Sequence, residues 1–460
     1  MTFRCALALS LIAASLAGCN NSSSDCTTCA PKPKPVNLQG TVSGLVGFRL
    51  TLQNGSTALS IPLNGPDANG NQTFGMAAAN TAYNIAVKTQ PTSPSQTCAI
   101  ANGMGTTGTG DVTNIAVTCT TNPPRFLYVA NRGSGDVSGY TIDPASGNLT
   151  AIAGSPFAAG GNPVAIAVDP TGAYAYVVNQ LSANISAFTI NRTTGALTAA
   201  GAPIGTPSSP TSVAIDPSSS YVYVTGGGNS GTVLVYTIAA GTGALATVTG
   251  SLTATGRLPA AVTVDALGEF LYVTNSLDGT CSAFSISSGS GTLTFAPNSP
   301  FPCGVNPKAL ALDPTGNNLY VANSAANTLT GVNGLPVSAG APPGTISGSP
   351  YATGITPISI AVDPVANTVY VANQGANTLS GFKIGGAAGT LTAIPGSPFP
   401  AGMQPAAVVV DPTSVHAYTA NSNSNSVSAY SVDPNSGALA LLSGSPTATG
   451  LIPVAMAISD

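Results

Sequence analysis

A short run of apolar residues around a tyrosine recurs seven times along this chain. Such runs, bounded by polar or small residues, are typical of buried β-strands. The copies are FLYVAN (126–131), AYVVN (175–179), VYVTG (222–226), LYVTN (271–275), LYVAN (319–323), VYVAN (369–373) and AYTAN (417–421). Their last residues lie 47 to 50 residues apart, the scale of one four-stranded propeller blade. The pattern therefore predicts seven blades.

The second repeat shows how a blade divides into strands A to D, counted outward from the axis. Strand A is PVAIAVD (163–169), B is AYAYVVN (173–179), C is NISAFTI (184–190) and D is ALTAAG (196–201). The turn DPTG (169–172) has the residues that a type I turn prefers, so it joins A and B as a hairpin. Six blades carry a glycine that supplies a positive φ in the C to D turn: Gly147, Gly195, Gly243, Gly291, Gly389 and Gly437. Blade five lacks it, and its insert from Val332 to Gly348 predicts an irregular or displaced strand.

The C-terminus is predicted to close the ring. FLYVAN has no strand A before it, whereas PVAMAISD (453–460) matches PVAIAVDP (163–170) almost residue for residue. Pairing these two segments removes exposed sheet edges. The predicted fold class is all-β: a seven-bladed β-propeller of four-stranded blades over residues 125–460, closed by the C-terminal strand and preceded by a small β-sandwich.

The FLYVAN and DPTG blocks resemble those of the YVTN-repeat propellers and of the lactonase-type seven-bladed propeller family, across residues 125–460. The resemblance implies hydrolysis of a sugar lactone, as in 6-phosphogluconolactonase, as one function. The His, Glu and Arg groups expected of active relatives have no clustered counterpart in this sequence. His416 is the only histidine and Glu269 the only glutamate, and both fall at repeated strand B positions. A general base for lactone hydrolysis is therefore hard to assign.

Residues 36–120 form a separate series of short strands divided by Asn, Gly and Pro turns. The segment resembles the small Ig-like or carboxypeptidase-regulatory-like β-sandwiches of bacterial surface lipoproteins. Cys98 and Cys119 lie near its end, and a disulfide is the default for such a pair in a secreted chain. Asp67, Asn69 and Asn71 have the alternating spacing of a calcium loop, but without its closing Glu they indicate a polar turn.

The N-terminus predicts export. Arg4 and the apolar run from Ala6 to Leu16 are typical of a secretory signal, because the run is too short to span a bilayer. Residues 16–19, LAGC, resemble a bacterial lipobox, which implies a signal peptide of 1–18 and lipidation of Cys19; the alternative is an ordinary signal peptide with a chance cysteine. Residues 19–35 then form a disordered tether. Its Cys26 and Cys29 lack the further ligands of a zinc site, which favours a local disulfide or no defined role.

The composition limits the classes of partner that the chain is expected to bind. Only 6% of residues are charged and the net charge is −4, with no basic run, so nucleic acid is discounted as a partner. No cofactor and no metal are expected, since the chain has no histidine cluster. The expected partners are the lipid bilayer, through the acyl anchor, and an unknown protein or carbohydrate, with the chain itself a monomer.

Residues that repeat in every blade are interpreted as structural. The tyrosine of strand B indicates repeated packing. The asparagine that ends strand B indicates a stabilised turn. The aspartates that end strand A favour backbone capping over cation binding. They are Asp169, Asp216, Asp265, Asp313, Asp363, Asp411 and the terminal Asp460.

Charges that do not repeat mark a candidate ligand face. The B to C and D to A loops lie at the same end of the propeller and hold Arg132, Asp136, Arg257, Asp278 and Lys308. Lys308 begins a strand A and is expected to point into the channel mouth, where propeller function usually gathers; alternatively, these charges only solubilise the protein. Cys281 and Cys303 are placed at this end and are expected to form a disulfide.

The sequence thus predicts a cell-envelope lipoprotein, anchored in the outer membrane, whose propeller is a binding or scaffolding module. The alternative is a lactonase. No residue is assigned a catalytic role.

Overall fold

The computed structural model describes residues 34–61, 71–92, 95–123, 125–335, 342–363 and 365–459. The predicted signal peptide with Cys19, the pair Cys26 and Cys29, and the residues Asp67 and Asn69 lie outside these ranges. Within them, no helix is long and apolar enough to cross a bilayer.

The first part of the described chain consists of two four-stranded sheets that share one core. The strands are β1 Val36–Ser43, β2 Thr51–Asn54, β3 Thr57–Ser60, β4 Asn71–Ala77, β5 Ala82–Thr89, β6 Gln96–Ala101, β7 Met104–Thr106 and β8 Val112–Thr121. One sheet has the order β4-β1-β8-β6 and the other β3-β2-β5-β7. Leu38 and Val117 of the first sheet and Leu52 and Ile85 of the second are buried together. The Ig-like resemblance of this module stays a prediction.

The module contains the first predicted disulfide. Cys98 and Cys119 face each other across β6 and β8 and are bonded.

The rest of the chain forms seven sheets, one for each predicted blade, which confirms the propeller. In every blade, strands A, B and C are followed by an outer strand D in two short pieces, and both pieces pair with C. Blade one has β9 Phe126–Asn131, β10 Asp136–Ile142, β11 Leu149–Ala151 and β12 Phe157–Ala158. Blade two has β13 Pro163–Val168, β14 Tyr174–Asn179, β15 Asn184–Ile190, β16 Leu197–Ala199 and β17 Ile204–Gly205. Blade three has β18 Ser212–Ile215, β19 Tyr221–Gly226, β20 Thr232–Ile238, β21 Leu245–Thr247 and β22 Thr253–Ala254. Blade four has β23 Pro259–Val264, β24 Phe270–Asn275, β25 Thr280–Ile286, β26 Leu293–Phe295 and β27 Phe301–Pro302.

Blades five to seven continue the same order. Blade five has β28 Pro307–Leu312, β29 Asn318–Asn323, β30 Thr328–Asn333, β31 Gly344–Thr345 and β32 Tyr351–Ala352. Blade six has β33 Pro357–Asp363, β34 Thr368–Asn373, β35 Thr378–Gly385, a 3-10 turn Gly386–Ala388, β36 Thr390–Ala393 and β37 Phe399–Pro400. Blade seven has β38 Pro405–Val410, β39 His416–Asn421, β40 Ser426–Val432, β41 Leu439–Leu441 and β42 Thr447–Ala448, and β43 Pro453–Ser459 ends the described chain.

The C-terminal strand closes the ring as predicted. β43 pairs antiparallel with β9, from Pro453 opposite Asn131 to Ser459 opposite Phe126. This register corrects one expectation. In blade six, Asp363 lies opposite Thr368, the first residue of its strand B, so Ser459 and not Asp460 occupies the aspartate position in blade one.

Neighbouring blades are joined by the repeated tyrosines. Five of these side chains donate a hydrogen bond to the carbonyl of the C to D glycine in the following blade: Tyr128 to Gly195, Tyr176 to Gly243, Tyr320 to Gly389, Tyr370 to Gly437 and Tyr418 to Gly147. The last of these bonds crosses from blade seven to blade one. The side chain of the first residue of strand B packs on the same glycine. At Gly195, an added Cβ would lie 2.5 Å from the Phe126 ring. Glycine is therefore required there for close approach as well as for its positive φ.

The outer strand differs from the prediction in being interrupted. In six blades a serine between the two pieces accepts a hydrogen bond from the middle of strand C, as Ser155 does from Gly139 N–H and Ser299 from Ala283 N–H. In these blades the break therefore leaves the strand C donor satisfied. Blade two has no serine between its pieces. In blade five the first outer piece has two residues, where the other blades have three or four.

The two-sheet module lies at one end of the channel. Phe48 lines a cavity of about 310 Å³ together with the ends of inner strands at Ile215, Val264, Leu312 and Val362. This is the end formed by the A to B turns, here called the turn face. The opposite end, formed by the B to C and D to A loops, is called the mouth face.

Candidate ligand site at the propeller mouth

Lys308 is the one charged residue in a ring of seven equivalent positions at the channel mouth. Each position follows the first proline of an inner strand, and the other six residues are Val164, Thr211, Ala260, Ile358, Ala406 and Val454. Burial lowers the pKa of the Lys308 ammonium below its ordinary value. Lys308 forms no ion pair with any described residue. A half-buried cation without a counter-ion favours an anionic or strongly polarised ligand.

The second predicted disulfide anchors the loop that leads to Lys308. Cys281, near the start of strand C in blade four, is bonded to Cys303. Both side chains are buried. Cys303 begins the loop that leads into strand A of the fifth blade, and it lies five residues before Lys308. The position of the lysine is thus fixed by a covalent link as well as by its own strand.

Lys308 lines a cavity of about 430 Å³ that crosses the mouth between blades two and six. Its wall includes Gln180, Ser209, Thr211, Gly228 and Ser276. Several of these polar groups are already hydrogen-bonded: the hydroxyl of Thr211 donates to the Pro259 carbonyl at 2.7 Å, and that of Ser276 to the Leu258 carbonyl at 2.8 Å. The volume suits a small molecule.

A second cavity, of about 690 Å³, continues from Lys308 toward the rim of blades four and five. Asp278 lines it and is held by Arg257, whose Nε lies 2.6 Å from Oδ1 and whose backbone N–H donates to Oδ2 at 2.7 Å. These two hydrogen bonds from Arg257 hold the pKa of Asp278 below its ordinary value. An exposed pair of this kind contributes little to stability. Its evident effect is to fix the two loops against each other.

The five predicted face charges therefore separate into two groups. Lys308 lines both cavities, Asp278 lines the larger one, and Arg257 is paired with Asp278 beside it. Arg132 and Asp136 belong to blade one and line neither cavity. Asp136 instead accepts a hydrogen bond from the Asn131 amide at 2.7 Å.

Blade three breaks the repeat beside the cavity. In most blades the asparagine that ends strand B donates from its amide to strand C, as Asn179 does to Ser186 and Asn184. In blades two, four and seven it also accepts an N–H from the D to A loop, as Asn179 does from Gly160. Blade three has Gly226 at this position, and an added Cβ would lie 2.9 Å from the Ser208 carbonyl oxygen. The D to A loop thus occupies the space of the missing side chain. The substitution is visible in the sequence, but its effect on the mouth depends on the loop's path.

Comparison with known proteins identifies the fold family. The family described as "Lactonase, 7-bladed beta-propeller" matches residues 86–214, 213–334 and 344–455, which is more than half of the chain. The chain belongs to this lactonase propeller family. No curated protein matches it.

Solved structures agree with this assignment. A putative 6-phosphogluconolactonase from Bacteroides fragilis superposes with a TM-score of 0.63 at 17% identity, over 74% of this chain and 99% of that one. A putative 6-phosphogluconolactonase from Bacteroides uniformis superposes with a TM-score of 0.64 at 15% identity, over 74% of this chain and 100% of that one. The periplasmic gluconolactonase of Pseudomonas aeruginosa gives 0.60 at 18% identity, over 73% and 99%. At these identities the likeness shows the fold alone.

In this lactonase propeller, the two residues that sequence alone would suggest as bases lie away from the mouth. His416 is buried at the turn face, with Nδ1 3.2 Å from Oδ2 of Asp411, and its ring packs on Gly147. Glu269 is exposed in the loop that follows the A to B turn of blade four. Neither can reach a ligand beside Lys308 at the opposite end of the channel.

The aspartates that end strand A serve the turns. Each of the six accepts at least one backbone N–H of its own turn, as Asp169 does from Ala173 and Tyr174 and Asp265 from Glu269 and Phe270. In the described part of the chain no three His, Cys, Asp or Glu side chains are grouped to hold a metal.

Proposed function

We propose that the propeller is a binding module and that its ligand is a small sugar acid or sugar lactone held at the mouth by Lys308. The observation that carries this proposal is an ammonium group that is half-buried, without a counter-ion, and shared by two cavities. A ligand carboxylate or lactone carbonyl would compensate that charge. The names of the structural neighbours, lactonases of gluconate derivatives, support this ligand class.

The test is calorimetric titration of the protein with D-gluconate and with D-glucono-1,5-lactone. Replacing Lys308 by Met keeps the aliphatic stem but removes the charge, and should weaken binding at least tenfold, about 1.4 kcal/mol. The matched control is Lys383→Met, because Lys383 is exposed on strand C of blade six and bonds the Asn435 carbonyl. The proposal fails if neither compound binds the parent, or if both lysine variants bind equally well.

Lactone hydrolysis is the second candidate, favoured by the family and by the lowered pKa of Lys308. In its neutral form the Lys308 amine can take a proton from an attacking water, and a lowered pKa favours that form. No described His or Glu side chain supports it at the mouth, so turnover should not reach an enzyme-like rate. Hydrolysis by the parent well above buffer, abolished by Lys308→Ala and Arg257→Ala, would instead make the mouth an active site.

The cellular setting is also a proposal: an envelope lipoprotein with Cys19 lipidated, anchored in the outer membrane. It is supported by the LAGC segment at 16–19 and the apolar run before it. Cys19→Ala should move the protein from the membrane fraction to the soluble one. Unchanged membrane association of that variant would refute lipid anchoring.

A further inference from the structure

The mouth face carries an arc of exposed apolar side chains. They lie in the short D to A loops, each between a glycine and the proline that opens strand A, around blades four, five, six, seven and one. This apolar arc consists of Leu258 (41% exposed), Val305 (62%), Ile355 (58%), Met403 (51%), Leu451 (55%) and Ile452 (46%). In blades two and three the same loop positions hold Gly161, Asn162, Ser208 and Ser209. The D to A loops are therefore apolar at these positions in five blades and polar in the two beside the polar wall of the smaller cavity. On the mouth face of blade two, Leu181 of the B to C loop is exposed.

Two residues of the arc occupy a backbone conformation that disfavours them. Leu258 and Ile452 both have φ +52°, in the left-handed region, and blades two and five place Asn162 and Asn306 at the same position. A bulky or β-branched residue is strained in this conformation, whereas Asn adopts it more readily. Leu258 is 41% exposed and Ile452 46%, so burial within this chain offsets only part of that strain. A contact outside the chain would bury the rest of both side chains.

We propose that the apolar arc docks an exposed loop of another protein, one with an Asp or Glu at its apex and apolar residues on either side. The apical carboxylate would lie beside Lys308, which has no ion-pair partner among the described residues and lines the larger cavity together with Leu258 and Val305 of the arc. The flanking apolar residues would cover the arc. The proposal uses the charge of Lys308 but not the sugar ligand, so failure of gluconate binding would leave it standing.

Charge excludes the simplest alternative occupant, a second copy of this chain. Two mouth faces stacked on a common axis would bring two Lys308 side chains toward each other without a counter-ion, and like charges that approach in a desolvated interface are unfavourable. A lipid surface is also disfavoured. The D to A loops of two blades are polar and Lys308 lies beside the arc, which suits a shaped polypeptide with a carboxylate better than a uniform apolar layer.

The experiment is site-specific photo-crosslinking in the cells that produce this protein. p-Benzoylphenylalanine is placed at Met403, at Leu451, or at the control position Leu267, which is 54% exposed on the turn face. Both arc positions should yield the same adduct with one other polypeptide, and Leu267 should not. Lys308→Glu should reduce that adduct at least tenfold, and mass spectrometry should locate the linked peptide beside an Asp or Glu.

Several results would overturn the proposal: no polypeptide adduct from the arc, an adduct with a second copy of this chain, an adduct with lipid, or an adduct unaffected by Lys308→Glu. Melting temperatures of each variant equal to that of the parent establish that the variants are folded.

Discussion

At the scale of single residues, a tyrosine hydroxyl forms the repeated polar link between neighbouring blades at five positions of the ring. Burial raises the pKa of Tyr370 to about 12, so its hydroxyl stays protonated and donates to the Gly437 carbonyl at 2.6 Å. Tyr223, at the same position in blade three, is equally buried, but its hydroxyl has no hydrogen-bond partner among the described residues. The two residues share a strand position and differ in this one bond.

This difference predicts opposite outcomes for the same substitution. Tyr370→Phe should lower the free energy of unfolding by about 1 kcal/mol, the typical net value of a hydrogen bond. Tyr223→Phe should leave it unchanged or raise it, because an unpaired buried hydroxyl is removed. Thermal or urea unfolding of both variants measures the difference. Equal losses for the two would mean that the bond to the glycine carbonyl does not join the blades.

Two aspartates at the turn face predict opposite pH dependence. Burial raises the pKa of Asp363, one of whose oxygens has no hydrogen-bond partner in the described structure. Its contribution to stability is therefore present below the unfolded-state pKa and is lost as pH rises through the folded-state pKa. Asp363→Asn should match or exceed the parent in melting temperature at pH 7, and this advantage should shrink toward pH 4.

The matched variant is Asp411→Asn. Burial acts to raise the pKa of Asp411, but hydrogen bonds from His416, Thr413 and the turn amides outweigh it and hold that pKa below its ordinary value. Its contribution is present above the unfolded-state pKa and is lost as pH falls through the folded-state pKa. Asp411→Asn should therefore be less stable than the parent at pH 7, with the difference narrowing in acid. The same pH trend in both variants would contradict these assignments.

At the scale of elements, the C-terminal strand makes blade one a composite of the two ends of the propeller. Ending the chain at residue 452 removes β43 and exposes the buried β9 at the axis. The free energy of unfolding should fall by several kcal/mol, so the melting temperature should drop and aggregation should increase. The control is Leu451→Ser at the adjacent exposed position, which should melt like the parent. A truncated chain with the parent's melting temperature would show that the ring does not depend on β43.

The sequence was sufficient for those elements whose signal is local and repeated. The seven strand B copies, the Asp-Pro turns and the match of PVAMAISD to the inner strands each carry their own pattern, and all appear in the structure. The interruption of strand D was missed because its pieces are too short to alternate, although a Ser-Pro pair marks it at 155–156, 299–300, 349–350, 397–398 and 445–446. The position of Ser459 was missed because register depends on the ladder and not on residue type.

At the scale of the whole molecule, the two ends of the channel differ. Phe48 from the two-sheet module lines the turn-face end, whereas Lys308 and the apolar arc lie at the mouth face. Sequence reasoning placed Arg257, Asp278 and Lys308 at one end because strand direction fixes which loops share a face. It could not find the cavities or the arc, because these depend on how seven separate loops approach one another.

The most direct test of the Lys308 site is the pH dependence of D-gluconate binding. The protonated ammonium is the form that attracts an anion, and burial lowers its pKa below the ordinary 10.5. Affinity should therefore weaken as pH rises through that lowered pKa, while exposed lysines are still charged. Lys308→Arg keeps its charge at every accessible pH and should bind without this loss. Affinity in the parent that does not change with pH, or an identical loss in Lys308→Arg, would contradict a ligand site built on Lys308.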